Sequence, residues 1–412
     1  MNAQRLLDRF LRYVQIDTTA REGTEVYPSS PGQLDLGRLL VDELHQAAIA
    51  DAKQDEFGIV LATVPATVPY PVPTIAWCAH LDTSPETSGA GVRPQVIRNY
   101  AGGDIVLPGA PGQVLRPDEQ PELRDMIGRT LITSDGTTLL GADDKAGVAV
   151  IMETVQWLSE HPEIKHGPIR ICFTCDEEVG RGVEHLPPSR IQATVCYTLD
   201  GQGVDTIDVE TFSADLATVT IRGVNIHPGV AKGRMVNAVR VAGCFLEHLP
   251  RRLAPEHTAD RQGFLHPYEI SGGVAEVRLR VLLRDFDTEE LARLAAVLRR
   301  AAHSAREQFP GSQIEVSVKP QYRNMAEGLA KEPRAVGFAQ RALEKLGRKA
   351  KLAIVRGGTD GSRLTELGLP CPNLATGEHC PHSPLEWTCL DEMVAAGQWL
   401  VALAEVWCQP GP

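Results

Sequence analysis

Apolar residues recur at helical spacing at both ends of the chain and form short unbroken runs in between. Leu6, Leu7, Phe10, Leu11 and Val14 share one face of a helix expected over residues 2–16. Leu36, Leu39, Leu40 and Leu44 do the same for a helix over 33–48, which follows a Ser-Ser-Pro-Gly turn. Two runs that are apolar nearly throughout, 58–64 and 73–79, read as central strands covered on both faces, with a Pro-rich break at 65–73 between them. Further buried strands are expected at 169–174 and 193–199, and a short strand through Leu139-Leu140 passes into a helix that runs to about residue 160. The Gly- and Pro-rich stretch 83–129 shows no period and reads as a long functional cover.

From about residue 211 the pattern changes. Leu216, Thr218, Thr220 and Arg222 alternate with Ala217, Val219 and Ile221, the mark of a half-exposed strand. A helix (235–249), a strand or hairpin (273–283), a helix (288–308) and a strand (313–318) follow, and this βαββαβ order predicts a four-stranded antiparallel sheet with both helices on one face. The chain then returns to a helix (333–346), a strand (352–355), a helix from near 361, a short strand (372–375) and a closing helix (390–408). The expected fold class is α/β: a mostly parallel sheet flanked by helices, built from 1–210 and 321–412, with a smaller α+β domain, 211–320, inserted in it.

The length of 412 residues agrees with more than one domain, since single cores stop growing at ~250–300 residues. Lys and Arg number 41 against 53 Asp and Glu, a net charge of −12, and no basic block stands out, so nucleic acid is not an expected partner. No apolar run approaches the ~20 residues that cross a bilayer, and the first ten residues mix both charges instead of forming a signal peptide; no membrane association and a cytoplasmic location are expected. The 9 cysteines are scattered through apolar surroundings, which suits buried thiols and not disulfides. Cys172 and Cys175 lie three apart on a presumed strand and so point to opposite faces, which argues against a zinc clamp.

Candidate chemistry collects at strand ends. The run Ile171 to Thr174 leads into Asp176-Glu177-Glu178, and adjacent carboxylates raise one another's pKa unless a cation compensates them, so the triplet is either a solvated turn or half of a metal site. His80 and Asp82 end another strand on one side, where Asp82 can be the acceptor that fixes the His80 ring. Asp143 stands at a strand-to-helix junction, where a helix cap is the simpler explanation. Asp200 closes the 193–199 strand, and His379 and His382 precede the last helix. Ligands in open α/β sheets gather at that edge.

These residues resemble a known family. His80-Leu81-Asp82, Gly141-Ala142-Asp143-Asp144-Lys145, Asp176-Glu177-Glu178-Val179-Gly180, Leu199-Asp200-Gly201 and His382 followed by Glu386 are similar to the motif series of the two-zinc metallo-exopeptidases, which include aminoacylases and succinyl-diaminopimelate desuccinylase. Residues 226–233, Leu283 to Asp287 and Arg356 to Gly361 resemble the tripeptide-cleaving branch. The resemblance implies two divalent metal ions, zinc with cobalt or manganese as alternatives. His80 and Asp200 would hold one, Glu178 and His382 the other, and Asp143 both, with a cis peptide after Asp143. Glu177 would deprotonate the water shared by the ions, and Asp82 would stand beside it in the catalytic set. The implied activity is release of the N-terminal residue from tripeptides. A dipeptidase or N-acyl-amino-acid deacylase on the same site, or a non-catalytic binding protein, remains the alternative. Arg284 and Arg356 suit the substrate's terminal carboxylate, and His227 and Asn237 its reacting carbonyl. In many relatives the equivalent of His227 crosses a dimer interface, which leaves a homodimer open.

Overall fold

The computed structural model describes residues 1–409. The larger of its two units comprises Met1–Val209, Met325–Ala353 and the chain from Thr359 onward; the smaller comprises Glu210–Asn324 and the short return Ile354–Gly358.

Across the sheet of the larger unit the strands follow the order Lys53–Gln54, Val60–Val64, Ile169–Thr174, Ile75–His80, Val195–Gln202, Asn373–His379, Trp387–Cys389, Leu131–Thr133, Gln95–Ile97. The run from Ile169–Thr174 to Asn373–His379 is parallel, and the strands that border it on either side are antiparallel. Near-continuous apolar sequence is what such doubly covered strands require. Alternation sorts their side chains into separate cores. Ile75, Trp77, Ile171, Phe173, Val195 and Tyr197 pack with the helices Ala3–Val14, Ala142–Glu160 and Leu390–Trp407, whereas Ala76, Cys78, Cys172 and Cys196 pack on the opposite face with Ile191, Leu364 and Leu369. Cys172 and Cys175 fall in different cores, and every cysteine is free.

The stretch 83–129 is less bare than expected. It contains Gln95–Ile97, the paired strands Ile105–Val106 and Val114–Leu115 and a 3-10 turn at Pro121–Met126, closed over a small core of Tyr100, Leu107, Leu115, Leu123 and Trp387. Its apolar residues come in runs of two or three, such as Ile105 to Leu107 and Val114-Leu115, too short to leave a period to read. The short strand expected at Leu139-Leu140 is absent; a strand lies earlier, at Leu131–Thr133, because the backbone of Leu140 and Gly141 bonds to a side chain instead of a neighbouring strand.

In the smaller unit the strand order is Phe264–Gly272, Glu276–Asp285, Ser213–Arg222, Gln313–Tyr322, antiparallel throughout. Ala217, Val219, Ile221, Leu279 and Val281 meet the helices Ala238–Glu247 and Thr288–Gln308 in one core, the arrangement expected from the βαββαβ order. The region expected as a strand or hairpin is a full hairpin, and its first strand begins earlier, at Phe264, where Pro267 and exposed residues hide the alternation.

One close approach positions the site described next. At Gly147 a Cβ would lie 1.9 Å from the Leu199 carbonyl oxygen and 2.3 Å from Asp144 Oδ1, so only glycine lets the Ala142–Glu160 helix press its first turn onto the strand that carries Asp200. Gly147→Ala is therefore expected to lower unfolding free energy by ~1–3 kcal/mol, the usual cost of overpacking, as a shifted urea midpoint. An unchanged midpoint would show that the helix can retreat freely.

Candidate active site

Four parallel strands deliver their carboxyl ends to one edge of the larger sheet, and each brings a ligand-type residue with it. His80 ends Ile75–His80, the acidic triplet follows Ile169–Thr174, Asp200 lies near the end of Val195–Gln202 and His382 follows Asn373–His379. Asp143 arrives from a different direction, at the start of Ala142–Glu160. It is no helix cap: Asp143 and Asp144 have non-helical angles with a cis peptide between them, and it is Asp144, not Asp143, whose Oδ1 accepts the N–H of Gly147 at 3.2 Å.

The five candidate ligands form two triads that share Asp143. Ligand atoms of His80, Asp143 and Asp200 lie within 4.8 Å of one another, as do those of Asp143, Glu178 and His382. His80 Nε2 is 2.9 Å from Asp143 Oδ1 and 3.6 Å from Asp200 Oδ1; His382 Nε2 is 3.2 Å from Asp143 Oδ2 and 3.0 Å from Glu178 Oε2. His379 takes no part. Its ring stacks on Trp387 with centroids 3.8 Å apart and bonds Glu392 at 2.8 Å.

Electrostatics show what this cluster lacks. Burial, reinforced by the charge of Asp143, pushes Asp200 up to about 7 and Glu178 up to about 8. Burial alone would also raise Asp143, but hydrogen bonds from His382 and His80 outweigh it and hold its carboxyl below the usual range. The imidazoles answer in kind: burial pulls His382 down, yet Asp143 and Glu178 drive it up to about 11. Glu178 Oε1 is buried with no hydrogen-bond partner. Three carboxylates, two imidazoles, no thiolate and an orphaned buried oxygen fit a pair of divalent cations, with the imidazoles then neutral.

The backbone around the ligands is held by other carboxylates. Asp82, expected to fix the His80 ring, does so mainly through its carbonyl oxygen, 3.1 Å from Nδ1, with its carboxylate at 3.5 Å. That carboxylate instead accepts the N–H groups of Glu177 and Glu178, both at 3.0 Å, and so sets the acidic turn. Asp176, at φ 60°, turns away from the ligands and accepts from Ser29 N and Gln33 Nε2, both at 2.7 Å. Glu386 has a role that its sequence position did not reveal: Oε2 accepts from Leu140 N and Gly141 N, and Oε1 from Asp143 N at 3.0 Å. Its buried place in an apolar run was the available signal. Glu86, in the long cover, was also missed; its carboxylate lies 3.4 Å from His382 Nδ1, while Thr87 Oγ1 donates to the His382 carbonyl at 2.6 Å. Glu177 lies beside the triads with its carboxyl pushed well above the usual range by burial and by Asp360, Asp200 and Glu178, against the opposing pull of His80.

The remaining candidates lie in the smaller unit. His227 is exposed, and its Nδ1 accepts from Gly229 N at 3.1 Å. Asn237 caps the Ala238–Glu247 helix by accepting from Val239 N. Arg284 bonds Gln321 Oε1 at 2.8 Å and lies over the Tyr322 ring, and it pairs with no carboxylate among the described residues. Arg356 is held within its own unit. Its guanidinium donates to the carbonyls of Asp260 and Gln262 and to Thr258 Oγ1, and it lies over the rings of Phe212 and Phe264, so it clamps a loop of its own unit and has no fork left for a substrate carboxylate.

The chain is similar to known proteins over nearly its whole length. Residues 134–406 match Peptidase family M20/M25/M40. The chain is 43% identical over 402 residues to peptidase T of Bacillus subtilis, covering 98% of each chain. Its fold is similar to a crystal structure of aminopeptidase PepT from Bacillus cereus, with a TM-score of 0.75, 26% identity and coverage of 99% of this chain and 100% of that one. It is also similar to a tripeptidase from Staphylococcus aureus, with a TM-score of 0.76, 25% identity and 99% of each chain covered.

A carboxylate behind a metal-binding imidazole typically contributes about 10–100-fold in metal affinity. Glu86→Ala should weaken uptake of one of two ions by that order and leave the other unchanged, as read by competition with a fluorescent chelator. Equal affinities in both proteins would reduce the Glu86 contact to a surface pair.

Proposed function

The chain belongs to Peptidase family M20/M25/M40, and from that footing we propose that it is an aminopeptidase that releases the N-terminal residue of tripeptides. The observation that carries the reading is the pair of triads joined through Asp143 with Glu177 beside them. Full-length likeness to proteins named peptidase T supports the tripeptide as substrate.

Two divalent cations, zinc by the mixed imidazole and carboxylate donors and cobalt or manganese by the same rule, would be held by His80 and Asp200, by Glu178 and His382, and by Asp143 in common. When bound, they supply polarisation of the scissile carbonyl and a water of lowered pKa. The chain's own residues do the rest. Glu177 takes a proton from the attacking water as the new C–O bond forms, and returns it to the amine nitrogen as the C–N bond breaks. Asp82 holds the Glu177 backbone N–H, so the carboxylate starts from a fixed place. Burial, with Asp360, Asp200 and Glu178 added to it, holds the Glu177 carboxyl well above the usual range, and nearby cations would draw it down. Arg284, whose guanidinium meets no carboxylate among the described residues, is the group we assign to the peptide's C-terminal carboxylate. His227 and Asn237 are kept as groups that meet the substrate carbonyl.

Glu177→Ala should keep its metal content and lose ~10²–10⁴-fold in kcat, the usual share of a general base. Loss of metal from Glu177→Ala but not from Glu178→Ala would reverse the roles of the pair.

A panel of free tripeptides, their C-terminal amides, dipeptides and N-acyl amino acids, with and without a chelator, tests the substrate. Amidation should lower kcat/KM by about 10–150-fold, the equivalent of a charge-assisted hydrogen bond of about 1.5–3 kcal/mol, and Arg284→Ala should abolish the difference. Faster turnover of N-acyl amino acids would make the protein a deacylase instead.

A further inference from the structure

A second group of acids adjoins the metal triads and takes no part in the reaction as described. One ligand oxygen each of Asp144, Asp200 and Glu378 lies within 4.8 Å of the others. Asp144 is fully buried and Glu378 is 1% exposed. The Asp144 carboxylate is fixed by the N–H of His80 at 3.0 Å and that of Gly147 at 3.2 Å. Glu378 is not satisfied in the same way: its Oε2 is buried with no hydrogen-bond partner. Beyond burial, the charges that act on it most are those of Asp143, Asp200, Asp144 and Glu386, all acidic. The local backbone goes with this inward carboxylate, since pairing of Asn373–His379 with Val195–Gln202 shifts register between Ala375 and Glu378. A buried acid placed against acids, with a bare oxygen and no basic partner, is costly unless a cation meets it.

We propose that Asp144, Asp200 and Glu378 bind a third cation, a hard divalent ion of the manganese or magnesium class, next to the pair held by the two triads. The donor chemistry selects the ion. Each triad contains an imidazole, which suits zinc, whereas this group offers carboxylate oxygen alone, the donor that magnesium and manganese prefer. Asp200 belongs to both groups and links the third ion to the first. The inference is independent of which peptide or acyl substrate the enzyme takes, and it needs only that the zinc pair be filled first, which a zinc count reports separately.

The test uses the full chain loaded with zinc and then titrated with manganese, with bound manganese read by electron paramagnetic resonance and both metals by elemental analysis. The expected result is one manganese per chain with the zinc count unchanged, and a rise in Tm on adding manganese to the zinc-loaded protein. Glu378→Gln, which keeps the shape of the side chain, should retain zinc and lose both the manganese and the Tm rise; Asp144→Asn is the second variant should the first not fold. No manganese beyond the zinc pair in the unaltered protein would overturn the proposal and leave protons as what neutralises the acids. So would manganese that enters only as zinc leaves, or equal uptake by Glu378→Gln.

Discussion

Concentrating carboxylates in a buried place is the constraint on which the structure of the larger unit depends. Asp143, Asp144, Glu177, Glu178, Asp200, Asp360 and Glu378 converge near the ends of parallel strands, and burial pushes the carboxyl of each upward. The fold brings them together because the strands are apolar enough to be covered on both faces, so that their polar ends are the only places left for chemistry. What compensates the acids differs from one to the next, and the difference sorts them by role.

Most acids that face backbone N–H groups are structural; Asp144, held by His80 N and Gly147 N, also faces Asp200 and Glu378. Asp82 holds the turn of Glu177 and Glu178, Asp176 bonds Ser29 and Gln33, and Glu386 holds the turn that presents Asp143. Each fixes a ligand without occupying it, which is how ligands drawn from positions 80 to 382 reach a common spot. Acids left facing imidazoles or one another are the ones with cation chemistry to do: Asp143, Glu178 and Asp200 in the triads, and Glu378 beside them. The same division separates the imidazoles. His379 is spent on Glu392 and Trp387, whereas His382 points at Asp143 and Glu178.

The smaller unit obeys simpler physics. One face of its antiparallel sheet is apolar and covered by helices, and the other carries Thr and Arg. Its arginines show how little residue type says about role. Arg356 sits in a motif that resembles a substrate-binding one, yet carbonyl oxygens and two phenyl rings absorb it. Arg284 keeps a guanidinium that meets an amide and a ring but no acid among the described residues.

Much of this was legible in the chain. The central strands at Ile75–His80 and Ile169–Thr174, the Thr288–Gln308 helix and the βαββαβ order follow from runs of apolar residues and their period, because a covered strand and an amphipathic helix leave distinct local patterns. The ligand types at the strand ends were legible as well, since acids that end an apolar run need a reason. Other parts were not. The Phe264–Gly272 strand lies at the sheet edge, where exposed residues and a proline dilute the alternation, and the small core of the 83–129 stretch draws on residues too scattered to show a period. The spacing of His382 to Glu386 had already favoured it over His379, and the turn at Cys380 to His382, with positive φ at both ends, aims its ring at Asp143. The roles of Glu86, Glu378 and Glu386 depended on partners from 178 to 296 residues away in sequence, and no local pattern encodes which backbone N–H, imidazole or bare oxygen a buried carboxylate will meet; only the packing of strands and helices against one another decides that.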